Sequence, residues 1–140
     1  MKKVLIHITD RHVIDGEKMA SELTTVGTLQ GSGDAYRIAY TETDDDFQEC
    51  TTTLELEEGR RVVMTRSGPN STQMILERDK RFHCHYSTPY GDIAMGIYTK
   101  ALRSCMRSDG GQLNFRYTID YNTGYVSTNE LTVTVTGIRN

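Results

Sequence analysis

The chain has 140 residues, a formal charge of -3 and 36% hydrophobic residues. This is the length of one domain, 1–140, able to bury a core without a metal or disulfide staple. Sixteen basic against nineteen acidic groups give no electrostatic footprint of a nucleic-acid binder, and no apolar run is long enough for a transmembrane helix.

The composition favours strands. Nineteen threonines and eight tyrosines stand against two prolines and no tryptophan. Threonine and tyrosine suit a pleated, half-buried surface. In chain order, the alternating runs predict strands at Lys3–Val13, Lys18–Gln30 (bent near Gly27), Tyr36–Thr43, Glu49–Glu57 and Arg61–Ser67. Further strands are expected at Ser71–Glu77, Arg81–Thr88, Asp92–Ser104, Gln112–Tyr121 and Ser127–Ile138. Gly, Asp and Asn clusters separate them, and no helical stripe interrupts the series.

About ten strands joined by short turns predict an antiparallel up-and-down meander. Ten strands in one open sheet would curl or split, and closure removes the edges. The expected fold is therefore an all-β, up-and-down barrel of about 8–10 strands, with a flattened sandwich as the alternative.

Side chains alternate along a strand, so each run sorts into faces. Leu131, Val133 and Val135 share the inner face, as do Leu113, Phe115, Tyr117, Ile119 and Tyr121. Phe82, Cys84, Tyr86 and Thr88 share it too, which sends His83 and His85 outward. Ile93, Met95, Ile97 and Thr99 form another inner set, and Cys50, Thr52, Leu54 and Leu56 another. The phase of Tyr36, Ile38 and Tyr40 carries Glu42 inward, and that of Val62 and Met64 carries Arg66 inward. One carboxylate and one guanidinium in an apolar lumen must pair or meet water or a ligand.

Several segments together resemble a known family. They are Tyr40-Thr41-Glu42, Thr51-Thr52-Thr53-Leu54, Arg66-Ser67-Gly68, Met74, Tyr86-Ser87-Thr88-Pro89-Tyr90-Gly91, Thr99 and Leu131-Thr132-Val133. In order and spacing the chain resembles the YwiB-like family of uncharacterised bacterial proteins, from about Val4 to Ile138. It departs from the family at Arg78-Asp79, where a glycine is expected, and at Pro89, inside the tyrosine motif. The resemblance implies a calycin-like, lipocalin-like barrel and no established activity.

Other chemistry finds little support. His83-Cys84-His85 puts two histidines on one face without a third ligand, and Asp44-Asp45-Asp46 lacks the glycine and closing glutamate of a calcium loop. Gly31-Ser32-Gly33 is a hairpin turn and not a phosphate loop. Three widely spaced cysteines and the absence of a leader-like start point to a reducing, cytoplasmic setting. No cofactor, metal or membrane is expected, and catalysis has no demanding motif behind it.

The surviving constellation is lumenal. Tyr40, Glu42, Arg66, Tyr86, Thr88, Tyr90, Thr99 and Tyr117 are the candidate binding residues for a small polar or anionic ligand, held without catalysis. The alternative is a filled lumen, in which Glu42 and Arg66 neutralise each other and the barrel is a structural scaffold. Its outer face would then bind a protein partner or a second copy, with Tyr98 and Tyr125 as the exposed aromatics to watch.

Overall fold

The computed structural model describes residues 1–43, 49–68, 71–121, 124 and 126–138, and of residues 86–88 the backbone only. The acidic triplet Asp44–Asp46 and Tyr125 lie outside the described residues.

Among the described residues ten strands form: β1 (Lys2–Ile14), β2 (Glu17–Ser32), β3 (Ala35–Thr43), β4 (Glu49–Glu57) and β5 (Arg61–Ser67), then β6 (Thr72–Glu77), β7 (Arg81–Thr88), β8 (Gly91–Ser104), β9 (Gly110–Tyr121) and β10 (Val126–Gly137). Each pairs antiparallel with its sequence neighbours, and β1 closes onto β10 from Val4↔Gly137 to Ile14↔Ser127. The result is a closed up-and-down barrel. No helix long and apolar enough to cross a membrane occurs among the described residues.

The meander sends alternate connections to opposite ends. The connections leaving β1, β3, β5, β7 and β9 rim one end, and the others rim the end that holds both termini. The first hairpin shows the local chemistry: Asp15 and Gly16 both adopt positive φ, 50° and 80°, so two residues suffice to reverse the chain.

The termini end is filled. Val4, Ile6, Leu29, Ile38, Leu76, Leu113, Phe115 and Val133 are each at most 2% exposed, a core formed by inner-face residues of successive strands. Alternation along β10 shows why: Leu131, Val133 and Val135 are buried, while Thr132, Thr134 and Thr136 face outward.

Two seams are thin. The β2–β3 ladder runs only from Ser32↔Ala35 to Gly27↔Tyr40, whereas β2 pairs with β1 from Lys2↔Leu29 to Ile14↔Glu17. Gly27 marks the divergence. A Cβ there would sit 2.3 Å from the Ala39 carbonyl oxygen and 2.5 Å from Ile6 Cδ1, so only glycine lets the strands approach this closely. Between β6 and β7 the register pair among the described residues is Thr72↔Tyr86.

Three sequence expectations need correction. Tyr98 is half-buried and offers no exposed aromatic. Phe82 is half-buried, with the Arg61 guanidinium 5.7 Å from its ring centroid. Ile93 keeps the inner phase but is 43% exposed, because it stands at the rim, where the filling has ended.

Candidate functional site

The filled half gives way to a cavity of about 680 Å³ that opens at the rim opposite the termini. Its base is apolar: Ile8 of β1, Met64 of β5, Met74 of β6, Met95 of β8 and Leu131 of β10. Above them stand Asp10 of β1, Tyr40 and Glu42 of β3, Thr52 of β4, Arg66 of β5, and Tyr117 and Tyr121 of β9. Period-two alternation delivers each of these side chains inward.

Glu42 and Arg66 meet here, with Arg66 Nη2 3.4 Å from Glu42 Oε1. The two are not ladder partners. Glu42 pairs with Cys50 and Arg66 with Thr52, so the ion pair spans β4 diagonally above the Thr52 side chain. Both ends keep solvent contact, at 28% and 41% exposure, so the pair costs far less desolvation than a fully buried one.

Tyr40 and Tyr117 are held neutral. Burial pushes the Tyr40 phenol up, with a hydrogen bond to Thr52 and the Arg66 charge pulling the other way and Glu42 adding to the rise. Burial raises Tyr117 further, reinforced by the negative charge of Asp10 and by Tyr121. Both phenols therefore act near neutral pH as hydrogen-bonding groups, not as bases.

Asp10 is the residue that the sequence reading missed. Its Oδ1 is buried without a hydrogen-bond partner among the described residues, and His12 Nδ1 stands 3.8 Å away. The signal was present, because Val4, Ile6, Ile8 and Asp10 share one phase. It was masked because Leu5 and Val13 give the opposite phase apolar residues as well. Glu22 also lines the opening, which the parting of β2 from β3 exposes. Glu22 stands on the outer phase of β2 and only edges the opening; within the cavity, among the described residues, Asp10 and Glu42 outnumber the single guanidinium of Arg66.

Of the sequence candidates, Tyr40, Glu42, Arg66 and Tyr117 come together in the cavity. Tyr86 and Thr88 face Ile93 and Gly91 in the β7–β8 ladder, and their side chains lie outside the described residues. Two candidates fall elsewhere. Tyr90 is 99% exposed in the β7–β8 turn, beyond the strand whose alternation would have aimed it inward. Thr99 is 0% exposed and does not line the cavity. Its carbonyl accepts the Asp79 N–H at 2.8 Å and its N–H donates to the Lys80 carbonyl at 3.4 Å, so the β6–β7 turn docks over it. The β8 ladder is irregular just beyond, between Thr99 and Ala101.

Among the described residues, nucleophilic and metal chemistry have no assembled site. Cys84 is buried, which raises its thiol pKa, while its neighbours His83 and His85 are exposed on the outer face. Among the described residues no group of three or more His, Cys, Asp or Glu side chains is placed to hold a metal ion.

Comparison with known proteins gives a consistent picture. A family model described as "Domain of unknown function (DUF1934)" matches residues 6–133. The crystal structure of the ywiB protein from Bacillus subtilis superposes with a TM-score of 0.85 at 20% identity, covering 99% of this chain and 93% of that one. This likeness shows the fold, a calycin-like barrel. A structural-genomics protein of unknown function from Bacteroides ovatus aligns at 10% identity with a TM-score of 0.36, over 96% of this chain and 41% of that one. No curated protein matches the chain.

Proposed function

We propose that this chain, which belongs to the DUF1934 family, binds a small polar molecule in the open mouth of its barrel without transforming it. The observation that carries this reading is the half-filled lumen. A scaffold needs no void, yet apolar packing stops at Ile8, Met74 and Leu131 and leaves about 680 Å³ above them, within the usual range of small-molecule sites. An apolar base with a few convergent polar groups is the ordinary design of such a site.

The charge balance favours a ligand that carries a positive charge over the anionic one suggested by Arg66 alone. Glu42 already engages Arg66, while among the described residues Asp10 Oδ1 has no hydrogen-bond donor, the nearest cationic candidate being His12 Nδ1 at 3.8 Å. Tyr40, Tyr117 and Tyr121 add aromatic faces, which attract cations. Binding, rather than catalysis, is the reading that the neutral Tyr40 and Tyr117 phenols support, with no nucleophile placed beside a base among the described residues.

Native mass spectrometry of the purified protein, followed by denaturation and mass analysis of what is released, tests this reading. A stoichiometric adduct containing a basic nitrogen is expected, and it should be lost in the Asp10→Asn/Glu42→Gln variant. A bare chain, or an adduct that survives in that variant, would overturn the assignment.

A further inference from the structure

The outer wall beside the mouth carries a second concave surface, a groove of about 560 Å³ that shares no lining residue with the mouth cavity. Its construction follows from the ladder registers. Ala20 of β2 faces Arg11 of β1, Arg11 faces Glu130 of β10, and Glu130 faces Arg116 of β9. Neighbouring strands lie about 4.8 Å apart, which places Arg11 and Arg116 roughly 10 Å apart across Glu130. One row nearer the mouth come Lys18, Val13 and Thr128, again in register. Lys100 joins the groove from the irregular step in β8. Val13, Met19 and Ala20 give it an apolar component.

Four cations from four strands thus face one groove that holds a single carboxylate. Glu130 accepts hydrogen bonds from Asn114 Nδ2 at 3.2 Å and Arg116 Nε at 3.3 Å, which hold its carboxyl below the ordinary range. It offsets one cation. Among the described residues Lys18 and Lys100 have no carboxylate at ion-pair distance. The groove keeps a net of three positive charges in a chain whose total is -3. Like charges gathered this way repel until an anion neutralises them.

The patch is also bounded. The next outer row toward the termini reads Glu22, Thr9, Thr132 and Asn114 and ends on β8 at Arg103, its single cation, which does not line the groove. On the mouth side β9 presents Thr118 and then Asp120, which engages Arg81. A nucleic-acid strand needs a longer basic track than this. Arginine forks and lysine ammonium groups are the usual phosphate and carboxylate ligands.

We infer that this outer groove is a binding site for a small polyanion, a molecule with two or more phosphate or carboxylate groups. It is separate from the mouth cavity, and neither reading depends on the other.

Inorganic tripolyphosphate is the probe. Calorimetric titration at about 150 mM salt, where exposed charges are screened beyond roughly 8 Å, should show one saturable site. The Lys18→Gln/Lys100→Gln variant should weaken it about tenfold or more. Glu130→Gln should tighten it. Arg60→Gln, which removes an exposed cation at the opposite end, should leave it unchanged. Lys18, Lys100 and Arg60 are exposed, so their variants should melt like the parent. Absence of binding by the parent chain would overturn the inference, as would equal weakening by Arg60→Gln. Tighter binding of a single-stranded oligonucleotide, with a salt dependence greater than four cations can produce, would overturn it in favour of a nucleic-acid surface.

Discussion

Arg66 reaches across β4 to Glu42 at 3.4 Å, from one ladder to the next, and this contact ties β3 to β5 at the point where the lumen stops being filled. The pair is half-solvated. Its coupling free energy, measured by a double-mutant cycle with Glu42→Gln and Arg66→Gln in thermal unfolding, should be at most about 1 kcal/mol and should shrink in high salt. A coupling of several kcal/mol would mean a desolvated structural plug instead of a wet site.

Gly27 sets how closely β2 and β3 approach. A methyl group there meets the Ala39 backbone oxygen and the buried Ile6 side chain, neither of which can move freely. Gly27→Ala should cost about 1–3 kcal/mol in chemical denaturation. Gly96→Ala should cost less. Its Cβ would meet the far end of Arg81, which lies across Gly96 to reach Asp120 and can swing away at the expense of one surface ion pair.

Tyr117 predicts an alkaline limit. Its phenol titrates near 10.0 in the unfolded chain and well above that in the fold, where burial is the chief cause. Below pH 10 both states hold the proton and stability is unaffected. Above it the unfolded chain releases the proton first, so stability falls by up to about 1.4 kcal/mol per pH unit. Tyr117→Phe removes this contribution. Unfolding curves between about pH 10 and 12 should therefore slope less steeply for the variant, and equal slopes would refute the burial-driven shift.

Glu77 predicts the acid side. The carboxylate is buried at the end of β6, with Lys80 Nζ at 2.6 Å and Arg61 Nε at 2.9 Å. The bond from Lys80 is the main cause of its lowered pKa, with Arg61 next among the favourable contacts. A depressed carboxyl stabilises the fold above its unfolded value of 4.5 and loses that contribution as pH falls through the folded value. The parent should melt above Glu77→Gln at neutral pH, and the gap should close in acid. A gap that persists in full at the lowest pH would show that the interaction does not depend on charge.

The cysteines predict a reactivity order. Cys105 is exposed, while Cys50 and Cys84 are buried, and burial raises the Cys84 thiol. A disulfide reagent such as dithionitrobenzoate should label one thiol rapidly in the native protein and all three after unfolding. Cys105→Ser should abolish the rapid phase. A second fast thiol would mean that the core opens more readily than its packing implies.

The strands and their faces were legible in the amino-acid order, because alternation is a local property. Turn residues bound each run, and a carboxylate or guanidinium in phase with valine and leucine must share their side of the sheet. That logic placed Tyr40, Glu42, Arg66 and Tyr117 inward, and the fold brings them to one cavity. It left Asp10 undecided, since β1 carries apolar residues on both phases and only the neighbours chosen by β1 settle which is inside. It misplaced Tyr90 and Thr99 because a turn has no period and a buried hydroxyl can be covered by another segment's backbone. The depth to which the lumen is filled depends on packing across the barrel. The basic groove depends on β1 meeting β10, a pairing between the two ends of the chain. Such contacts are set by the free energy of closing the whole sheet, and no local pattern encodes them.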